Sequence, residues 1–106
     1  MNKVIIMGNI TNDPEVKAVG ETSVTEFGVA VNRRYKKNEE WVEAVEFLNI
    51  KCWGSRGEAI ANHLEKGSKV LLEGEIRTDT WEKDGEKKYK TYILVNNWEF
   101  CEKKGS

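Results

Sequence analysis

A single change of period does most to limit what this chain can fold into. Strand-like segments run over Lys3–Met7, Ser23–Tyr35 and Trp41–Trp53, and again over Lys69–Trp81 and Lys88–Phe100. Between them, from Ser55 to Lys66, the apolar residues fall at helical spacing, with Ile60 and Leu64 four apart and Ala59 and Ala61 beside them. A repeat of two places alternate side chains on opposite faces of a strand, whereas a repeat of three or four gathers them on one face of a helix. The order is therefore three strands, one helix, two strands.

Punctuation along the chain supports these segments. Gly8-Asn9-Ile10 and Asn12-Asp13-Pro14 end the first strand, Glu15–Lys17 resumes briefly, and Gly20 interrupts before the second. A charged loop is expected at Lys36–Glu40, Gly54 closes the third strand, and Gly67 is placed as the stop of the helix. Asp84-Gly85 is a strong hairpin signal, which turns the last strand back on the one before it. Three strands, a helix and two strands describe an all-β fold, the five-stranded OB-fold barrel with one α-helix between strands 3 and 4. With 106 residues, this is expected to be one domain over residues 1–100 followed by a short C-terminal end at 101–106.

The most informative strand for function is Phe47-Leu48-Asn49-Ile50-Lys51-Cys52-Trp53. Alternation sends Leu48, Ile50 and Cys52 to one face, an ordinary core. The other face carries Phe47, Asn49, Lys51 and Trp53, two aromatics flanking an amide and a cation. Such a surface suits stacked bases and a phosphate backbone. Trp81 lies on the charged face of the fourth strand, with Arg77 and Asp79, and tryptophans in a core seldom share a face with charges.

Charge alone would not lead to that reading. Lys and Arg number 17 against 18 Asp and Glu, so placement rather than net charge has to carry any case for a nucleic-acid partner. Cys52 and Cys101 are too far apart for a metal knuckle and are expected as free thiols in a reducing compartment. No apolar run approaches a membrane span and no leader is recognised, so a cytoplasmic location is expected. His63 has no catalytic partner at motif spacing, and the Asp13/Glu15 and Glu39–Glu46 carboxylates read as solvated turn and strand charges. No enzyme, metal site or cofactor is expected.

Several short motifs in order resemble the bacterial and phage single-stranded DNA-binding proteins over nearly all of residues 2 to 100. They are Asn2-Lys3-Val4-Ile5, Gly8-Asn9, Asp13-Pro14-Glu15-Val16, Asn32-Arg33-Arg34-Tyr35 and Trp53-Gly54, then Leu64-Glu65-Lys66-Gly67-Ser68, Glu73-Gly74, Arg77-Thr78, Trp81 and Asp84-Gly85. The resemblance implies a non-catalytic protein that coats and protects single-stranded DNA in replication, recombination and repair. It implies bases stacked on Tyr35, Phe47, Trp53 and Trp81, and phosphate contacts from Arg33, Lys51 and Arg77, with Arg34, Lys3, Arg56, Lys66 and Lys88 as further candidates. It also implies a homotetramer, with a dimer as the alternative. The Tyr35–Trp41 loop and Trp81–Tyr89 hairpin are expected as mobile fingers.

Departures from that family are equally specific. Phe47-Leu48-Asn49 stands where the family commonly has Trp-His-Arg, the His lying near a subunit interface, and Asp79-Thr80 stands where basic residues are common. Binding is therefore expected to lean on stacking and to depend less steeply on salt than is usual. The family's acidic, hydrophobic-tipped tail, which recruits repair and replication enzymes, is not matched by Cys101-Glu102-Lys103-Lys104-Gly105-Ser106, and recruitment is not implied. Two other readings fit the same barrel: a protein-interaction module of a replication complex and an RNA-binding barrel.

Overall fold

A computed structural model describes residues 1–101. Its elements are β1 (Val4–Ile10), β2 (Glu15–Val19), β3 (Thr22–Lys37), β4 (Glu40–Trp53), α1 (Gly54–His63), β5 (Lys69–Lys83) and β6 (Glu86–Cys101). Neighbouring strands follow the order β1-β5-β6-β4-β3, and β1 meets β3 again through Asn9↔Ala30 and Ile10↔Val29, which closes the ring. The expected OB-fold barrel is what the chain builds, with α1 between the third and fourth strands of that ring. The expected C-terminal end at 101–106 lies, apart from Cys101, outside the described residues.

Alternation explains the core. Phe27 and Val29 of β3, Ile50 and Cys52 of β4, Val70 and Leu72 of β5, and Ile93 and Val95 of β6 all point into one buried cluster. Ile60 of α1 and Leu64 just beyond it join the same cluster, so the helix seals one end of the ring. Each such side chain contributes about 1.5–3 kcal/mol by leaving water. Trp98 packs partly buried against this core, and Cys52 and Cys101 are free thiols.

Four local expectations are corrected. Glu15–Val19 is a sixth strand that hairpins onto β3, with Val16 opposite Thr25 and Val19 opposite Thr22, outside the closed ring. The helix ends at His63 rather than Lys66: Leu64 is already extended, the next amides bond outside the helix (Glu65 to Ser68 Oγ, Lys66 to Asp13 Oδ1, Gly67 to the Ile10 carbonyl), and Gly67 (φ +93°) serves the following turn. The expected loop at Lys36–Glu40 is instead ladder up to Lys37↔Glu40, closed by a two-residue turn with Asn38 and Glu39 at φ 50° and 65°. Ile76, which alternation from Val70 and Leu72 puts on the core side of β5, is half exposed, because beyond Ile50↔Ile93 strands β4 and β6 no longer pair and the barrel opens there.

Candidate nucleic-acid interface

Strand β4 presents its polar-aromatic face outward, as alternation requires. Phe47 is 73% exposed and Trp53 43%, while Lys51 between them is only partly so. Gly54, at φ +68°, turns the chain directly from β4 into α1, a conformation most residues resist, and so fixes Trp53 at the strand's end. The register sets Ala30 opposite Phe47, Gly28 opposite Asn49 and Glu26 opposite Lys51. Beside Phe47 and Asn49 the stripe therefore borders small residues rather than a wall.

Gly28 is small for a reason. A Cβ there would meet the Thr11 hydroxyl at 2.5 Å, because the Thr11–Asn12 turn is folded onto β3. The Gly28 amide donates to Asn12 Oδ1 at 2.9 Å, and the Thr11 amide donates to the Gly28 carbonyl at 2.9 Å. That turn forms one wall of an open groove of about 300 Å³, and Phe47, Asn49 and Lys51 line it together with Lys90. A planar ring entering there would meet Phe47 on one side and hydrogen-bonding groups on the others.

The pleat divides the remaining candidates between two faces. Trp81, Arg77 and Lys88 lie on the same side of the β5–β6 ladder as Asp79 and Tyr92, whose side chains reach Lys51 of the β4 stripe. Arg34 and Trp41 share the Phe47 side of β3–β4, where the Arg34 guanidinium lies 5.1 Å from the Trp41 ring centre. Tyr35 and Arg33 occupy the opposite side of that hairpin, with Arg33 5.3 Å from the Tyr35 ring centre and bonded to Glu46 at 2.9 Å. Lys3 pairs with Glu73 on the β1–β5 side of the ring. Arg56 is exposed on α1, and Lys66 follows the helix, its backbone amide held by Asp13 Oδ1 at 2.8 Å.

Five of the eight candidate cations, Lys3, Arg33, Lys51, Arg77 and Lys88, are already engaged with acids. Arg77 meets Glu75 at 3.3 Å and Lys88 meets Glu86 at 3.0 Å, both exposed pairs of the kind that contribute little to stability. Lys51 is different: Asp79 at 3.3 Å and Glu26 at 3.6 Å contact its ammonium, which also sits 4.5 Å from the Tyr92 ring centre. A hydrogen bond from Lys17 lowers the Glu26 carboxyl below its ordinary range, and burial, followed by the bond to Asp79, raises the Tyr92 phenol.

Residues that sequence reasoning passed over here are Tyr92, Lys90, Glu26 and the Thr11–Asn12 turn. Only strand register could have placed them beside β4. Tyr89 is 72% exposed on the β5–β6 hairpin, opposite Thr80.

The comparisons with known proteins agree with this architecture. The single-strand binding protein family matches residues 1–101. A single-stranded DNA-binding protein of Treponema pallidum is 40% identical over 98 residues, covering 92% of this chain and 56% of that protein. Single-stranded DNA-binding protein 2 of Streptococcus agalactiae is 42% identical over 102 residues, covering 95% of this chain and 77% of the relative. The chain thus spans between about half and three-quarters of the length of these two relatives.

Among solved structures, a deletion mutant of the Thermus aquaticus single-stranded DNA binding protein superposes with a TM-score of 0.90 at 23% identity, over 99% of this chain and 52% of that one. The Plasmodium falciparum SSB complex with ssDNA gives 0.88 at 23% identity, over 96% of both chains. At such identity these two speak to the fold alone. The family match over the whole described chain and the close curated relatives place this protein in the single-strand binding protein family.

Proposed function

We propose that this protein binds single-stranded DNA without catalysing any reaction, coating and protecting exposed strands in replication, recombination and repair. The observation that carries the reading is the outer face of β4, where Phe47 and Trp53 leave large ring areas in water on either side of a cation. Exposed aromatics are costly unless they meet a partner, and every base offers a π face, so a strip of this kind binds single strands with little regard to sequence. Phe47 and Trp53 form the centre of the track, Trp81 continues it on the β5–β6 hairpin, and Tyr35 and Trp41 flank it from the two sides of the β3–β4 hairpin. Arg33, Arg34, Lys51, Arg77 and Lys88 supply phosphate contacts; Lys3, Arg56 and Lys66 are outlying candidates.

Binding to the open strand alone shifts duplex melting toward it by mass action. The protein acts in the cytoplasm, where Cys52 and Cys101 stay reduced. It acts as a homo-oligomer, a tetramer before a dimer, because β1 leaves Ile5 (60%) and Met7 (49%) exposed along an edge that pairs only with β5 between Val4 and Gly8. Titrating tryptophan fluorescence with oligo(dT), oligo(U) and duplex DNA tests the reading. Quenching by oligo(dT) at low salt and a clear preference over duplex are expected. Preference for oligo(U) would point to an RNA-binding barrel, and no quenching by either strand to a protein-interaction module.

A further inference from the structure

The side chains around Lys51 form a shared network rather than an isolated exposed ion pair. Both oxygens of each neighbouring carboxylate are in use. Asp79 accepts from the Tyr92 hydroxyl on Oδ1 at 3.1 Å and from Lys51 on Oδ2 at 3.3 Å, and Glu26 accepts from Lys17 on Oε1 at 2.8 Å while facing Lys51 with Oε2 at 3.6 Å. The Lys51 side chain is 19% exposed, its ammonium lying against the Tyr92 ring. Four strands supply the parts: Glu26 from β3, Lys51 from β4, Asp79 from β5 and Tyr92 from β6. Lys90, directly opposite Asp79, Arg77, opposite Tyr92, and Glu15, opposite Glu26, are further charged groups on this patch. The whole cluster lies two residues along β4 from Trp53 and four from Phe47.

We propose that Asp79 and Glu26 stand in for a phosphate on Lys51, so that this part of the track is closed to ligands offering charge alone and opened only by ligands that also stack on Phe47 and Trp53. The inference rests on the single-strand reading of that track and adds a basis for its selectivity. The phosphate of a rigid duplex reaches Lys51 only by displacing Asp79 and facing two carboxylates of its own sign, an arrangement that suppresses wrong partners. A single strand is held by base–aromatic stacking, worth roughly ten- to a hundredfold in affinity per base, and its flexible backbone brings a phosphate alongside Lys51 without taking that place. A duplex keeps its base faces covered and has no such compensation. The two carboxylates thereby act as a filter for unpaired bases against duplex DNA and other polyanions.

Asp79→Asn tests this, since the amide keeps the shape, its single oxygen can accept from Lys51 while its NH2 donates to the Tyr92 hydroxyl, and the charge is lost. Affinities for labelled oligo(dT) and for duplex DNA are compared at one salt concentration by fluorescence anisotropy, with thermal melts checking that each variant is folded. Asp79→Asn is expected to tighten duplex binding by roughly tenfold and oligo(dT) binding by less than about threefold, and the gain is expected to vanish when combined with Lys51→Gln. Glu21→Gln, in the exposed turn between β2 and β3, sets the size of a plain net-charge effect and should move neither affinity appreciably. Equal tightening of both ligands, no tightening of duplex, a gain that survives Lys51→Gln, or a matching gain from Glu21→Gln would each overturn the filter. Failure of the wild type to bind oligo(dT) is a separate result, which removes the single-strand reading itself.

Discussion

At the scale of single residues, Phe47 and Leu72 show how sharply the outer face and the core are divided in this barrel. Phe47 is 73% exposed and Leu72 1%, although both are large apolar side chains on long strands. Phe47→Ala is expected to weaken oligo(dT) binding by about 1–3 kcal/mol. The same change should alter unfolding free energy by no more than about 0.5 kcal/mol, as is usual for surface substitutions. Leu72→Ala should do the reverse, costing about 2–5 kcal/mol of stability through the cavity it leaves while sparing the affinity of the protein that remains folded. Paired fluorescence titrations and denaturant melts separate the two. This division was legible in the sequence, because alternation alone assigns Phe47 and Trp53 to one face and Ile50 and Cys52 to the other. The partners of Lys51 were not legible: Glu26 and Asp79 lie far from it in the chain and reach it only through register and barrel closure.

At the scale of elements, the two long hairpins are where sequence reasoning read least well. The β3–β4 ladder runs unbroken from Val24↔Trp53 to Lys37↔Glu40, yet the segment around its tip read as a charged loop. From Asn32 onward nearly every residue of β3 is exposed, so no buried face imposes the alternation by which strands are recognised. The Asp84-Gly85 hairpin was recognisable because that dipeptide suits the positive φ values of 53° and 79° that the turn takes. Asn38-Glu39 makes the same kind of turn with a poorer second residue, since Glu39 bears a side chain at φ 65°. A left-handed conformation costs such a residue about 1–2 kcal/mol. Glu39→Gly is therefore expected to stabilise the hairpin by a net of about 0.5 kcal/mol once glycine's greater freedom in the unfolded chain is deducted. Slower amide exchange from Tyr35 to Val42 would register the gain, and unchanged or faster exchange would show that the tip carries no such strain. The helix boundary is hidden for a related reason: helical spacing continues through Leu64, but the amides of Lys66 and Gly67 are taken by Asp13 and Ile10, partners far away in the sequence.

At the scale of the whole molecule, the radius of gyration is 15.7 Å, against about 13 Å for a compact domain of this length. The excess comes from the two hairpins, which leave the barrel from the end where β4 and β6 diverge and carry Tyr35, Trp41, Trp81 and Tyr89 away from the core. Arms of this kind add surface for a flexible strand but hold few nucleotides each, since one barrel of this type spans roughly 4–16. On the proposed single-strand reading, longer strands would engage several copies at once, and the exposed Ile5 and Met7 on β1 are the feature best suited to joining them. Joining matters energetically because a second barrel already tethered to the first meets the strand at high effective concentration, raising overall affinity by about 10²–10⁴ without a new contact. Ile5→Glu combined with Met7→Glu is expected to reduce the assembly to monomers in light scattering. Affinity for an oligo(dT) short enough to occupy one barrel should be kept, and that for a long oligo(dT) should fall by a factor within this range. Equal losses for both lengths would mean that β1 supports the binding face itself, and no change in mass would place the subunit contact elsewhere on the barrel.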